Sequence, residues 1–132
     1  MPRTVLQIDD DVAVSAALVV RLRAAGYDVV GARDGRAGLA AAMEHRPHVI
    51  LLDIRMPDMD GFEVCRRLKA TPELAGIPVI FLSGNVGEEA KRAAAELGAA
   101  AFLGKPYEAR DVIDLIERAI GAAPRAAPER SP

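Results

Sequence analysis

The chain has 132 residues, 51% hydrophobic and 27% charged, with a formal net charge of −2; this fits one globular domain, and no basic stretch marks a nucleic-acid partner. Cys65 is the sole cysteine, which excludes an internal disulfide and suits a reducing compartment. No apolar run approaches the roughly 20 residues of a membrane span, and the amino end, MPRTVLQIDDD, lacks the apolar core of a signal peptide, so the expected location is cytoplasmic with no membrane contact.

Thr4–Ile8 reads as a short apolar strand that runs into three acids, Asp9, Asp10 and Asp11. A helix follows from Val12 to Ala25. Val12, Ala16, Val19 and Leu22 recur at helical spacing and Leu18 widens the stripe. Gly26 is placed to end it at C′. Asp11 is best explained as a cap at the helix start. Three acids together exceed what a cap needs; crowded at a strand end they repel one another and call for a cation.

Tyr27–Ala32 is a second strand. Asp34 caps a helix over Gly35–His45, anchored on one face by Leu39 and Met43. His45 and His48 flank Pro47. A histidine pair is a metal signal only with further ligands at suitable spacing, and none is present locally, so both read as surface polar residues.

Val49–Leu52 is a continuous apolar run, rich in β-branched residues, and reads as a strand buried on both faces of a parallel sheet. Asp53 stands where it ends, before a turn-rich loop marked by Met56-Pro57 and Asp60-Gly61. Taken alone, Asp53 has two readings: an acid used at a strand's carboxyl end, where ligand chemistry gathers in open α/β sheets, or an N-cap or exposed strand end. Phe62–Ala70 is a helix with Val64, Cys65 and Leu68 on one side and Arg66, Arg67 and Lys69 on the other. No histidine lies near Cys65 in sequence, so it reads as a small core residue rather than a nucleophile. Thr71–Pro78 is a loop. Pro78–Leu82 is the fourth strand and ends in Ser83-Gly84. Gly87–Leu97 is the fourth helix, closed by Gly98. Ala101–Leu103 is the fifth strand, followed by Gly104-Lys105-Pro106. Arg110–Ile120 is the last helix, with an apolar stripe of Val112, Ile113, Leu115, Ile116, Ala119 and Ile120. The domain is expected over 1–121. The remainder, 122–132, is rich in proline and reads as a disordered tail or linker stub.

Strands and helices alternate as βαβαβαβαβα. That order specifies a doubly wound α/β fold, a five-stranded parallel sheet with five helices on both faces, because right-handed crossovers are the common way to connect it. All carboxyl ends then lie along one edge, which collects Asp9, Asp10, Asp53, Ser83 and Lys105. The carboxylates suit a hard divalent cation such as Mg²⁺ or Mn²⁺. An ionised aspartate can attack an activated phosphorus to give an acyl phosphate. A cation and a lysine offset the charge on the phosphoryl oxygens, and a serine hydroxyl can donate to the arriving group.

The chain resembles the receiver domains of bacterial two-component response regulators over residues 4 to 120, on four motifs: IDDD at 8–11, LLDIRMPDMDG at 51–61, FLSG at 81–84 and FLGKP at 102–106. The resemblance implies a flavodoxin-like sheet of order 2-1-3-4-5, with Asp53 as phosphoacceptor. It implies Asp10 as direct metal ligand, Asp9 helping through water, and the backbone carbonyl of Arg55 as a further ligand. Ser83 becomes the switch hydroxyl, Lys105 the phosphate-sensing lysine, Phe102 the aromatic switch residue, and Lys105–Pro106 a cis peptide. The implied activity is phosphoacceptance from a sensor histidine kinase or phosphotransfer protein, with no enzymatic role beyond assisting its own phosphorylation and dephosphorylation. The output is a change in the face of helix four, strand five and helix five toward a downstream protein target.

Some features set this chain apart within that resemblance. Arg55 and Asn85 occupy the two positions that tune phosphoryl lifetime. Ala99-Ala100-Ala101 lacks the acidic pair through which DNA-binding members dimerise, so a homodimer through that face would need another contact, for which Ile113 and Ile120 are candidates. A truncated core stripe explains those two residues better. A dehalogenase-like phosphatase needs a second acid where Arg55 stands, a nucleotide-binding flavodoxin-like protein needs a glycine-rich loop after strand one, and a degenerate scaffold receiver would not keep the acids, hydroxyl and lysine. The methionine start and short tail favour a stand-alone regulator over a receiver excised from a larger hybrid kinase.

Overall fold

The computed structural model describes residues 2–84 and 87–122. The elements are β1 (Thr4–Ile8), α1 (Val12–Ala24), β2 (Asp28–Ala32), α2 (Gly35–His45), β3 (Val49–Leu52), α3 (Gly61–Ala70), β4 (Val79–Ser83), α4 (Glu88–Glu96), β5 (Ala101–Gly104) and α5 (Ala109–Ala122). All strand pairs are parallel, in the order β2-β1-β3-β4-β5. The expected fold is thus observed. Ser83 is the last residue of β4 rather than the residue after it. The tail expected over 122–132 and Asn85 lie outside the described residues, save that α5 runs on to Ala122.

β3 is apolar along its whole length, and β1 and β4 nearly so, because both faces are covered. Alternate residues serve opposite layers. Leu6, Ile8, Ile50, Leu52, Val79 and Phe81 pack with α2, α3 and α4. Val5, Val49, Leu51, Ile80 and Leu82 pack with Leu18 and Leu22 of α1 and with Val112, Ile116, Ala119 and Ile120 of α5. Gln7 shares the face of Val5 and is buried, with neither end of its carboxamide paired among the described residues.

Two helix faces differ from the sequence expectation. On α1 the buried residues among the described side chains are Leu18 and Leu22, while Val19 is half-buried and Ala16 exposed; the Val12 side chain lies outside the described residues. The helix is apolar nearly throughout, so periodicity alone does not fix its phase. On α2 Leu39 packs against the core as expected, but Met43 is 44% exposed, and the buried residues are Gly35, Gly38 and Ala42. A Cβ on Gly38 would stand 2.5 Å from Ile8 Cδ1, so this helix lies close on β1 through its small residues. On α5, Ile120 is buried and Ile113 is partly buried against the core, so neither is a free apolar surface; the core accounts for both.

The helix ends obey local rules. Asp11, Asp34 and Asp60 each accept an N–H of the first turn of α1, α2 and α3. Gly26 and Gly98 follow α1 and α4 in the left-handed region, with φ of 99° and 86°. His48, expected to be a surface residue, is exposed but accepts the Thr4 N–H on Nδ1 at 2.9 Å at the start of the sheet.

Candidate functional site

Register places the functional strand ends at one level. Ile8 pairs with both Ala32 and Leu52, so Asp9 and Asp53 leave neighbouring strands side by side. Their N–H groups continue the ladder, Asp9 to the Ala32 carbonyl and Asp53 to the Ile8 carbonyl, each at 3.0 Å. Ser83 is opposite Gly104 on the far side, and the Lys105 N–H donates to the Ser83 carbonyl at 2.7 Å. An open cleft of about 630 Å³ results, lined by Asp10, Asp11, Asp53, Arg55, Ser83, Gly84 and Lys105.

Within it, Asp9 is 4% and Asp53 8% exposed, while Asp10 is open to solvent. Asp9 Oδ1 accepts the Asp11 N–H at 2.9 Å and its Oδ2 pairs with Lys105 Nζ at 3.1 Å. Asp53 Oδ1 accepts the Ile54 N–H at 2.9 Å and lies 3.7 Å from the same ammonium. Lys105 thus bridges both buried carboxylates. Asp11 departs from its two neighbours: it is exposed and caps α1 through the Val14 N–H at 3.2 Å, as its position implied.

Burial pushes the Asp53 carboxyl above the ordinary carboxylate range; Lys105 opposes this, Asp9 adds to it, the Ile54 N–H opposes, and Asp10 adds. The group is therefore sensitive to any further positive charge. Oxygen atoms of Asp9, Asp10 and Asp53 lie within 4.8 Å of one another. Three carboxylates beside one ammonium leave surplus negative charge, and an all-oxygen donor set suits a hard divalent cation. The residues present fit such an ion.

Arg55 is exposed at the cleft's rim. The Ser83 side chain is buried. Phe102 is half-buried on β5, its ring centroid 6.3 Å from that of Phe81. Lys105–Pro106 is cis, as the resemblance implied. Two residues here carried no signal in sequence. The Tyr107 hydroxyl is buried without a partner among the described residues, and burial together with Asp9, Asp53 and Asp11 pushes it up to about 12. Asp58, in the loop between β3 and α3, accepts the Gly35 and Arg36 N–H groups at the start of α2, a tertiary contact that local sequence does not encode.

The family described as response regulator receiver domain matches residues 5–117. The chain belongs to this family. It is 40% identical over 113 residues to the DNA-binding dual master transcriptional regulator RpaA of Synechocystis sp., covering 86% of this chain and 46% of that protein. It is 41% identical over 108 residues to response regulator PleD of Caulobacter vibrioides, covering 82% of this chain and 24% of that protein. The chain spans less than half the length of these curated relatives. Among solved structures, a putative response regulator from Chloroflexus aurantiacus superposes with a TM-score of 0.88 at 30% identity, over 92% of this chain and 99% of that one. The chemotaxis response regulator CheY4 of Vibrio cholerae gives 0.84 at 30% identity, over 90% and 99%. This receiver domain is thus a bacterial-type signalling module of two-component systems. No helix among the described residues is long and apolar enough to cross a membrane.

Proposed function

We propose that this receiver domain is a phosphoacceptor: Asp53 takes a phosphoryl group from a phosphohistidine on a sensor histidine kinase or phosphotransfer protein. The observation that supports this most is the convergence of Asp9, Asp10, Asp53, Ser83 and Lys105 on one cleft edge. An ionised Asp53 oxygen attacks phosphorus; the new O–P bond forms as the P–N bond breaks, and the imidazole nitrogen keeps the electron pair. Ionisation has to be favoured, since burial holds the Asp53 proton. Lys105 favours it, and so would Mg²⁺ (or Mn²⁺) held by Asp10, Asp53 and the Arg55 carbonyl, with Asp9 acting through water. When bound, that ion supplies charge neutralisation for the transferring group.

The product is an acyl phosphate carrying about −1.5 to −2 charge and three acceptor oxygens. The Lys105 ammonium, placed between Asp9 and Asp53, pairs with one of those oxygens. The Ser83 hydroxyl donates to another. Drawing Ser83 toward the phosphoryl group vacates space beside β4, into which Phe102 turns, and the face of α4, β5 and α5 changes for a protein partner. Wild-type protein should take up phosphate from a phosphohistidine donor or from acetyl phosphate, and EDTA should abolish uptake. Asp53→Asn should take up none; a labelled Asp53→Asn protein would overturn the assignment.

A further inference from the structure

The loop between β3 and α3 has ends that meet. The Gly61 N–H donates to the Ile54 carbonyl at 2.7 Å. A Cβ at Gly61 would strike the Asp53 carbonyl oxygen and stand 2.9 Å from Ile54 Cα, so the closure is tight. It fixes the loop's two ends but not the residues between. Between them Met56 and Met59 pack against the core, and α2 grips the loop from outside. Asp58 Oδ1 accepts the Gly35 N–H at 2.8 Å, and its Oδ2 accepts the Arg36 N–H at 2.9 Å. The same Oδ1 takes the Met59 N–H at 2.8 Å, tying the carboxylate to its own loop. The seat is close-packed as well: a Cβ on Gly35 would overlap Met59 Cγ and lie 2.9 Å from Val64 Cγ2.

Capping alone does not explain this arrangement. Asp34 already caps α2, accepting the Ala37 N–H at 2.8 Å. The second carboxylate comes from a loop 22 to 23 residues further along, and Asp58 is exposed and contributes nothing to the core. Its loop also bears Arg55, whose main-chain carbonyl is the one proposed metal ligand that no rotamer change can re-aim. That oxygen goes where the loop goes.

We infer that Asp58 is a positioning residue for the divalent-cation site: by gripping the first turn of α2 it holds the β3–α3 loop, and with it the Arg55 carbonyl, in place beside Asp9, Asp10 and Asp53. The inference rests on the metal-binding reading proposed above. Outer partners that orient a metal's ligands typically govern tenfold or more in affinity.

Mn²⁺ titration of the full chain, followed by the electron paramagnetic resonance of the free ion, tests this without any phosphotransfer. Asp58→Ala should weaken Mn²⁺ binding about tenfold. Asp58→Asn, which keeps an acceptor oxygen, should fold as wild type and weaken binding less. Asp34→Ala removes the helix's own cap and should lower the melting temperature while leaving Mn²⁺ affinity unchanged. Wild-type affinity in both Asp58 variants would overturn the inference, as would an equal loss in Asp34→Ala, which would make the effect one of general helix stability. A wild-type chain that binds no Mn²⁺ would overturn the metal reading itself, a distinguishable failure.

Discussion

Replacing Lys105 with Met keeps an unbranched stem and removes the charge that stands between Asp9 and Asp53. At the observed 3.1 and 3.7 Å, an effective dielectric of about 20 gives gross attractions of about 5 and about 4 kcal/mol. Desolvation of the ammonium offsets much of this. Breaking a buried pair by removing one partner costs about 3–5 kcal/mol, and Lys105, with its side chain 19% exposed, belongs at the lower end. The expected loss is therefore about 3 kcal/mol near neutral pH in EDTA, a fall of roughly 10 °C in melting temperature for a domain this size. Urea unfolding followed by far-ultraviolet circular dichroism measures it. Two further responses follow from the same charges. Mg²⁺ should stabilise Lys105→Met more than wild type, because the site it enters is more negative. The deficit should also shrink on acidification, because Lys105 is the group that chiefly opposes the upward shift of Asp53. A variant as stable as wild type in EDTA, or stabilised no more than wild type by Mg²⁺, would refute this electrostatic account.

Asp53→Asn addresses pH directly. A carboxyl whose folded pKa is raised binds its proton more tightly in the native state, so stability falls as pH rises from the ordinary carboxylate value through the raised one. Without metal, Asp53→Asn should remove that decline and be more stable than wild type at neutral pH; urea midpoints across pH check it. Asp58 and Glu63 are shifted downward, by backbone N–H groups and by Arg67 and Arg66 respectively, so their contributions are lost as pH falls from the ordinary carboxylate values, the opposite sense to that of Asp53. Gln7→Leu should stabilise the fold by about 1–2 kcal/mol, since a buried carboxamide with no partner among the described residues costs about that much. Reduced stability on chemical denaturation would mean that Gln7 makes hydrogen bonds worth keeping.

Strand ends were legible in sequence for a physical reason. Buried parallel strands are runs of apolar residues, so the first polar residue after each run marks the edge: Asp9 after β1, Asp53 after β3 and Lys105 just past β5. Ser83, apolar enough in its surroundings to stay in β4, was displaced by one. The parallel topology then brings Asp9, Asp53 and Lys105 into contact without further information. Helix phase was less legible. α1 is apolar on nearly all sides, and α2 packs through Gly38 against Ile8, where the contact is made by the absence of a side chain. Asp58 and Tyr107 are not legible in sequence because what distinguishes them is spatial. Asp58 reads locally as another turn residue in MPDMDG, and only the seating of α2 reveals its bonds to that helix. Tyr107 reads as a residue after Lys-Pro, and only the fold buries its hydroxyl within the field of Asp9, Asp53 and Asp11.

On the proposed function, phosphorus becomes covalently bonded to one oxygen of Asp53. Reduction of the acetyl-phosphate-treated protein with borohydride converts an aspartyl phosphate to homoserine, which tandem mass spectrometry places in the chain. Homoserine at position 53, dependent on Mg²⁺, is the predicted result. Homoserine at position 9 or 10, or a phosphate resistant to reduction on a serine or histidine, would contradict it.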